Sequence, residues 1–226
     1  YRSENSIPSY VEDLRNCLSE LNIDWEIILV GNYFPNSNDR TPEIVKNVAR
    51  QDPRIKALTK LKKGMMGWDM KCGFKKSLGE IIAVTDGDGQ FPLADIGRVY
   101  KKLIDENLDM VKTYRVKRGD GWYRRTLSTV YNFIFHVFFP GVSSHDVNSK
   151  PKIFKAAALH KMDLLSDDWF IDAEIMIQAR RLKLNYSEIS TQFTKLDSRK
   201  SFVKPGAIAE FILNMILFRL REFIVL

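Results

Sequence analysis

Apolar positions along this chain alternate between two rhythms. Val11, Leu14, Leu18 and Leu21 recur at three- and four-residue steps behind Pro8, which predicts a helix over 8–21. Ile27-Ile28-Leu29-Val30, entered from Trp25-Glu26, is an unbroken run and reads as a buried strand. A turn-rich stretch over 31–40 follows, and Thr41-Pro42-Glu43 opens a second helix to about Arg50 as N-cap, first-turn proline and first-turn acid. The same alternation continues with a short strand near 54–58, a helix to about Leu78, a strand over 80–85, a helix from Pro92 and a strand over 109–114. Strands separated by helices imply a mostly parallel α/β sheet covered on both faces.

Beyond Arg115 the pattern changes. Arg115, Lys117, Arg118, Arg124 and Arg125 crowd around Gly119-Asp120-Gly121. A helix follows whose stripe is Leu127, Val130, Tyr131, Ile134, Phe135, Phe138 and Phe139, stopped by Pro140-Gly141. A loop through 145–152, an acidic-aromatic stretch 166–174, a helix to about Leu182 and an extended segment 184–194 complete one unit over 1–204. The appendage 205–226 carries Ile208, Phe211, Ile212, Met215, Ile216, Leu220 and Phe223 at helical spacing. It would be about 30 Å long, but Glu210, Asn214, Arg219, Arg221 and Glu222 argue against a span. A helix lying in the membrane interface is one reading, and packing on the domain is the other.

The sharpest chemical signal is Thr85-Asp86-Gly87-Asp88-Gly89-Gln90-Phe91-Pro92, directly after the apolar run Ile81-Ile82-Ala83-Val84. Two carboxylates one residue apart leave the end of a buried strand, where open α/β sheets place their ligands. Hard cations such as Mg²⁺ and Mn²⁺ take oxygen ligands and share them with substrate phosphates. Asp86 and Asp88 converge on one point only if Gly87 bends the chain, since a straight strand holds them about 7 Å apart. An Asp/Gly turn that starts the next helix is the plainer alternative.

Charge and cysteine content narrow the partners. The 226 residues carry 35 Lys+Arg against 28 Asp+Glu, a formal net charge of +7, which suits polyanionic partners: nucleic acid, anionic lipid or phosphorylated substrates. No stacking motif or recognition-helix pattern supports nucleic acid. Cys17 and Cys72 have no metal-ligand spacing and imply a reducing compartment, and His136, His145 and His160 have no metal-spaced partners. The start Tyr1-Arg2-Ser3-Glu4 leads straight into a helix with no preceding strand or signal-like segment, so an N-terminally incomplete fragment is expected.

Several landmarks occur together in a fixed order. They are Ile28-Leu29-Val30-Gly31-Asn32 with Asn38-Asp39-Arg40-Thr41-Pro42, Lys62-Lys63-Gly64-x-x-Gly67, Gly79-Glu80-Ile81 before the Asp86 motif, Arg115 at a strand end, Ser128-x-x-Tyr131-Asn132, Asp146 with Asn148-Ser149-Lys150, and Asp172-Ala173-Glu174. In these the chain resembles the family-2 glycosyltransferases, in the branch similar to dolichyl-phosphate mannosyltransferase. The resemblance covers nearly the whole chain and implies a GT-A fold, a Rossmann-like sheet whose first strand has no counterpart here. It implies a transferase using a nucleoside-diphosphate sugar, with Asp86, Asp88 and Gln90 at a divalent cation, Mg²⁺ or Mn²⁺. Asn32, Asp39, Lys62 and Asp86 fall at donor-binding positions; Gly31-Asn32 departs from the acid usual there.

The resemblance further places Arg115, Arg124 and Ser128 around an acceptor phosphate, and Asp88, Asp146 and Glu174 at catalytic positions. Arg124 and Ser128 stand four apart on one helix face. Trp68, Asp69 and Trp169 are candidates for the sugar pocket. The implied reaction is inverting transfer to a polyprenyl phosphate by a peripheral enzyme at the cytoplasmic face of the membrane. Transfer to a sugar hydroxyl of a glycan, with Asp146, Glu174 or Asp172 as base, and a non-catalytic relative that only binds are the alternatives.

Overall fold

A computed structural model describes residues 6–118, 122–194 and 205–224, without the side chains of 117, 118, 122–125, 205–209 and 224. The order is α1 (Ile7–Glu20), β1 (Ile27–Val30), α2 (Thr41–Ala49), β2 (Ile55–Leu58), α3 (Met66–Lys76), β3 (Ile81–Val84), α4 (Ala94–Asp105), β4 (Met110–Arg118), α5 (Trp122–Phe138), β5 (Lys152–Lys155), α6 (Ala156–Leu159), α7 (Ile171–Arg181), β6 (Tyr186–Phe193) and α8 (Pro205–Ile224). Residues 1–5, 119–121 and the side chains of Lys117, Arg118, Arg124 and Arg125 lie outside the described residues.

β1 and β2 pair in parallel, Ile27 opposite Ile55 and Val30 opposite Leu58. The other four strands form a sheet of order β3-β5-β4-β6. β4 and β6 are parallel, and β5 runs antiparallel between β3 and β4. The sheet is therefore parallel but for one inserted strand. The apolar pattern does not reveal β5, because Ile153 and Phe154 are bracketed by Pro151, Lys152 and Lys155. β4 also runs past the expected end at Tyr114 to Arg118, with an irregularity in its β6 register between Arg115 and Lys117.

The largest core lies around α7, where Phe170, Ile171, Ile175 and Met176 meet Phe135, Phe139, Met110 and Phe154. α7 is buried nearly all round, as a helix covered from several sides must be. A second core joins α1, α2 and the β1-β2 pair through Val11, Leu14, Ile27, Val45 and Ile55. α8 packs one face on the domain: Met215 is fully covered, and Phe211 and Phe218 flank Phe170. Its Asn214 donates to Asp168 Oδ2 at 2.6 Å, and Glu222 pairs with Arg180 and Arg219. The opposite face leaves Leu213, Leu217 and Leu220 exposed. No helix among the described residues is long and apolar enough to cross a membrane.

Among the described residues no strand lies between β1 and β3. Their free edges line one cavity of about 790 Å³, together with Tyr10, Met70 and Phe74. The N–H groups of Ile27 and Gly31 bond to Arg54 and Leu58 on the β2 side, so alternation turns the backbone of Ile28 and Val30 into the cavity. On β3 the Glu80 carbonyl accepts from Ala156 on the β5 side, which turns Ile81 and Ala83 the same way. Hydrogen exchange should separate the two sets. The amides of Ile28, Val30, Ile81 and Ala83 are expected to exchange well before those of Leu29, Ile82 and Val84, and equal protection would mean the edges are covered.

Candidate active site

β3 stops at Val84, so Asp86 and Asp88 stand in the loop beyond it rather than on the strand. The chain turns at Gly87 and Asp88, as expected, and Gly89 follows with a φ of +74°, in the left-handed region that glycine adopts without a Cβ penalty. The turn is closed by the Gln90 N–H donating to Asp88 Oδ1 at 3.1 Å. Gln90 is in turn tied to the end of β6: its Nε2 donates to the Thr194 carbonyl at 3.3 Å, and Thr194 N–H donates to the Gln90 carbonyl at 3.0 Å. The Asp86 side chain is 41 % exposed and faces outward from the lip of the sheet.

Behind Asp86 lies a group of buried charges. Asp172, in the first turn of α7, is 1 % exposed and accepts from Lys150 Nζ at 3.0 Å and from Lys152 Nζ at 2.5 Å. Lys152 also donates to the Ser149 carbonyl at 2.9 Å. Lys150 contacts Met66 Sδ at 3.2 Å and forms an ion pair with Asp86 Oδ1 at 3.5 Å. Burial pushes the Asp172 carboxyl up, but the two ammonium groups override it and hold it below the ordinary carboxylate range. Burial lowers Lys152 to about 8, whereas on Lys150 the same penalty is outweighed by Asp172 and Asp86, and its pKa is raised. The firmest positive charge is thus the one that reaches Asp86. A third enclosed lysine, Lys112, donates to Glu188 at 2.8 Å and to the Asp146 carbonyl at 2.6 Å; burial lowers its pKa.

Sequence reasoning passed over these lysines as chemistry. The available signal was slight: two lysines two positions apart, Lys150 and Lys152, at the entry to a short strand.

The remaining candidates fall into local sets. Asn32, 1 % exposed at the end of β1, donates to Asp69 Oδ1 at 2.8 Å and accepts from Lys60 N–H at 2.8 Å, while Lys62 pairs with the other oxygen of Asp69. Asp39 accepts from the Thr41 N–H at 3.0 Å and from its hydroxyl; Thr41 is the first residue of α2 rather than its N-cap, which is Arg40. Arg115 and Asp146 are joined as a fork, Nε to Oδ2 at 2.5 Å and Nη2 to Oδ1 at 2.8 Å. Ser128 is on α5 beside Asn132, whose Oδ1 accepts from Val147 N–H at 3.1 Å and fixes the loop that carries Asp146. Glu174 is fully enclosed and accepts from the N–H groups of Leu165 and Ser166 at 2.7 and 2.8 Å, which holds the 164–168 loop. His136 Nε2 meets the Ser144 carbonyl at 2.8 Å, within the fold.

The glycines of 64–67 serve close approach between loops. A Cβ on Gly64 would lie 2.7 Å from the Asp167 carbonyl, and one on Gly67 would lie 2.4 Å from that of Ser166. Met65 and Gly67 N–H donate to Asp167 and Asp168 at 2.7 and 2.9 Å across the same junction.

The donor set suits a hard divalent cation. Asp86 and Asp88 offer carboxylate oxygens, and no group of three His, Cys, Asp or Glu is gathered among the described residues. A cation here would complete its shell with diphosphate oxygens and water.

The family model for glycosyl transferase family 2 matches residues 1–163. The chain belongs to that family. Among curated members it is 24% identical over 216 residues to the dolichyl-phosphate beta-glucosyltransferase ALG5D of Trichomonas vaginalis, covering 88% of this chain and 65% of that one. It is 29% identical over 136 residues to the undecaprenyl-phosphate 4-deoxy-4-formamido-L-arabinose transferase of Pectobacterium atrosepticum, covering 59% and 40%. The chain thus spans less than two thirds of the length of either relative. This glycosyl transferase family 2 chain also shares the fold of the mannosyl-3-phosphoglycerate synthase of Rubrobacter xylanophilus (TM-score 0.74, 14% identity, 99% of this chain and 72% of that one). The glucosyl-3-phosphoglycerate synthase of Mycobacterium tuberculosis, solved with Mn²⁺, UDP-glucose and phosphoglyceric acid, aligns with a TM-score of 0.69 at 14% identity, over 96% and 76%. The architecture is accordingly GT-A.

Gly67→Ala should test the loop junction. With two carbonyls under 3 Å from the added methyl, a loss of about 1–3 kcal/mol in chemical denaturation is expected. An unchanged midpoint would show that the 166–168 loop yields without cost.

Proposed function

We propose that this chain is the transferase domain of an inverting enzyme that moves a sugar from a nucleoside-diphosphate donor to a polyprenyl phosphate at the cytoplasmic face of a membrane, with Mg²⁺ or Mn²⁺. The observation that carries the reading is the Asp86–Asp88 loop at the end of β3, in a family-2 chain whose curated relatives are named for polyprenyl-phosphate acceptors. The metal, held by Asp86 and Asp88 with Gln90 closing the turn, supplies Lewis-acid stabilisation of the charge that grows on the departing diphosphate. In this reading Asn32, Asp39 and Lys62 form the donor side, just after β1, just before α2 and in the stretch leading to α3 respectively.

Arg115 presents a planar fork that suits a phosphate oxygen pair, and Asp146 keeps that fork oriented until the acceptor arrives. Arg124 and Ser128 complete the acceptor side in this reading. An acceptor phosphate is ionised at neutral pH, so its oxygen attacks the anomeric carbon from the face opposite the leaving group without a strong base. One C–O bond forms, the bond to the diphosphate breaks, and the configuration inverts. Glu174, bonded to two backbone N–H groups, contributes by fixing the loop beneath Trp169 rather than by taking a proton.

Membrane contact is supported by exposed apolar side chains on neighbouring helices: Phe133 and Val137 on α5, and Leu213, Leu217, Leu220 and Phe223 on α8. Helices that bury one face and expose another apolar face can settle into a lipid interface, and the net charge of +7 favours anionic lipid.

Calorimetry with UDP, GDP, dTDP and CMP, each with and without Mn²⁺, tests the donor site. One diphosphate is expected to bind only with metal, and Asp88→Ala should weaken that binding at least about tenfold. A folded protein that binds none of them is no nucleotide-sugar transferase. Co-sedimentation with phosphatidylglycerol-containing vesicles tests the second claim. Phe133→Ser with Leu217→Ser should cut the bound fraction several-fold while leaving nucleotide binding intact; equal sedimentation of both proteins would remove the helices from the membrane contact.

A further inference from the structure

The cation nearest Asp86 is one the protein supplies itself. Lys150 Nζ stands 3.5 Å from Asp86 Oδ1, the ion pair Asp86 makes among the described residues. A surface lysine would swing aside when a metal approached. This one cannot, because its side chain is 3 % exposed and its ammonium is held by Asp172 Oδ2 at 3.0 Å and Met66 Sδ at 3.2 Å. Asp172 is itself immobilised by Lys152 at 2.5 Å and by its place in the first turn of α7. The charge is therefore built into the wall of the site, on the inner side of a carboxylate whose side chain is 41 % exposed toward the outer side.

We propose that Lys150 is a positioning residue that makes metal and diphosphate binding interdependent: its fixed positive charge neutralises Asp86 and repels a divalent cation until a diphosphate brings its own negative charge. This rests on the reading of Asp86 and Asp88 as donor-site ligands. The physical sequence is simple. Without nucleotide, Asp86 already has the buried Lys150 ammonium beside it, and a doubly charged ion gains little by entering. With a diphosphate in place the local balance becomes strongly negative, and the cation then has oxygen ligands from both sides. The ammonium also orients Asp86 through its contact with Oδ1.

The test is a binding cycle with Mn²⁺ alone, UDP alone and both together, Mn²⁺ being followed by the paramagnetic resonance of the free ion. Wild type is expected to bind Mn²⁺ weakly alone and at least about tenfold more tightly with UDP, the two factors being reciprocal. Lys150→Met, which keeps the side-chain length and leaves Asp172 paired with Lys152, should bind Mn²⁺ alone about tenfold more tightly than wild type and UDP alone more weakly. Lys150→Gln should behave likewise, and thermal melts confirm that each is folded. A lysine that only supports the fold would leave the affinity for Mn²⁺ alone unchanged or reduce it, and that outcome overturns the proposal. If neither variant folds, the wild-type cycle still decides, because independent binding of Mn²⁺ and UDP contradicts it. Failure of wild type to bind either probe under any condition instead removes the donor-site reading, and this inference with it.

Discussion

The carboxylate of Asp172 is the point on which the site depends. Taking an ammonium out of water costs several kcal/mol even after relaxation, and here Lys150 and Lys152 are both enclosed. Removing Asp172 would leave two such charges without a counter-ion in the largest core of the molecule. Because its two oxygens are shared between two lysines on consecutive inward positions, Asp172 fixes the N-terminus of α7 against the entry to β5, and through Lys150 against the loop of Asp86. Three segments distant in sequence are thereby held to one geometry.

The antiparallel insertion of β5 is what makes that geometry available. Its register sets Lys152 opposite Val84 on one side and opposite Lys112 on the other. The chain just before β5 therefore arrives at the end of β3, beyond which Asp86 stands, and beside the middle of β4, where Arg115 lies inside the strand rather than at its end. A parallel strand in the same slot would deliver its first residues to the opposite edge. One reversed strand thus brings Asp146 to Arg115 and Lys150 to Asp86 in a single loop.

Elements whose identity rests on local pattern were legible in the sequence. The runs at 27–30 and 81–84 read as strands and are strands, although in the second only Ile82 is buried, and the carboxylate pair after Val84 marked the candidate site. What stayed hidden needed knowledge of neighbours. Lys150 and Lys152 are the residue type least often enclosed, and nothing in their surroundings names Asp172 as partner across about twenty positions. Gly64 and Gly67 stood out only as part of a sequence landmark, whereas their lack of a Cβ is used by the carbonyls of Ser166 and Asp167. Arg115 and Asp146 stood out separately in the sequence but not as a pair, since the fork between them follows from strand register rather than spacing. The amphipathic stretch of α8 carried both its roles at once: Met215 and Phe218 answer to the core, Leu213 and Leu217 to solvent.

In the proposed reaction two phosphorylated ligands that repel each other would have to meet, yet the lip of the sheet does not present a cluster of bare cations. Among the described residues each cation at the lip is already matched: Lys62 with Asp69, Arg115 with Asp146, Lys150 with Asp172 and Asp86. Unmatched buried charge would destabilise the empty fold, and matched charge avoids that cost while keeping the donors oriented. A phosphate arriving here would have to replace, or share with, the carboxylate already paired with each of these cations.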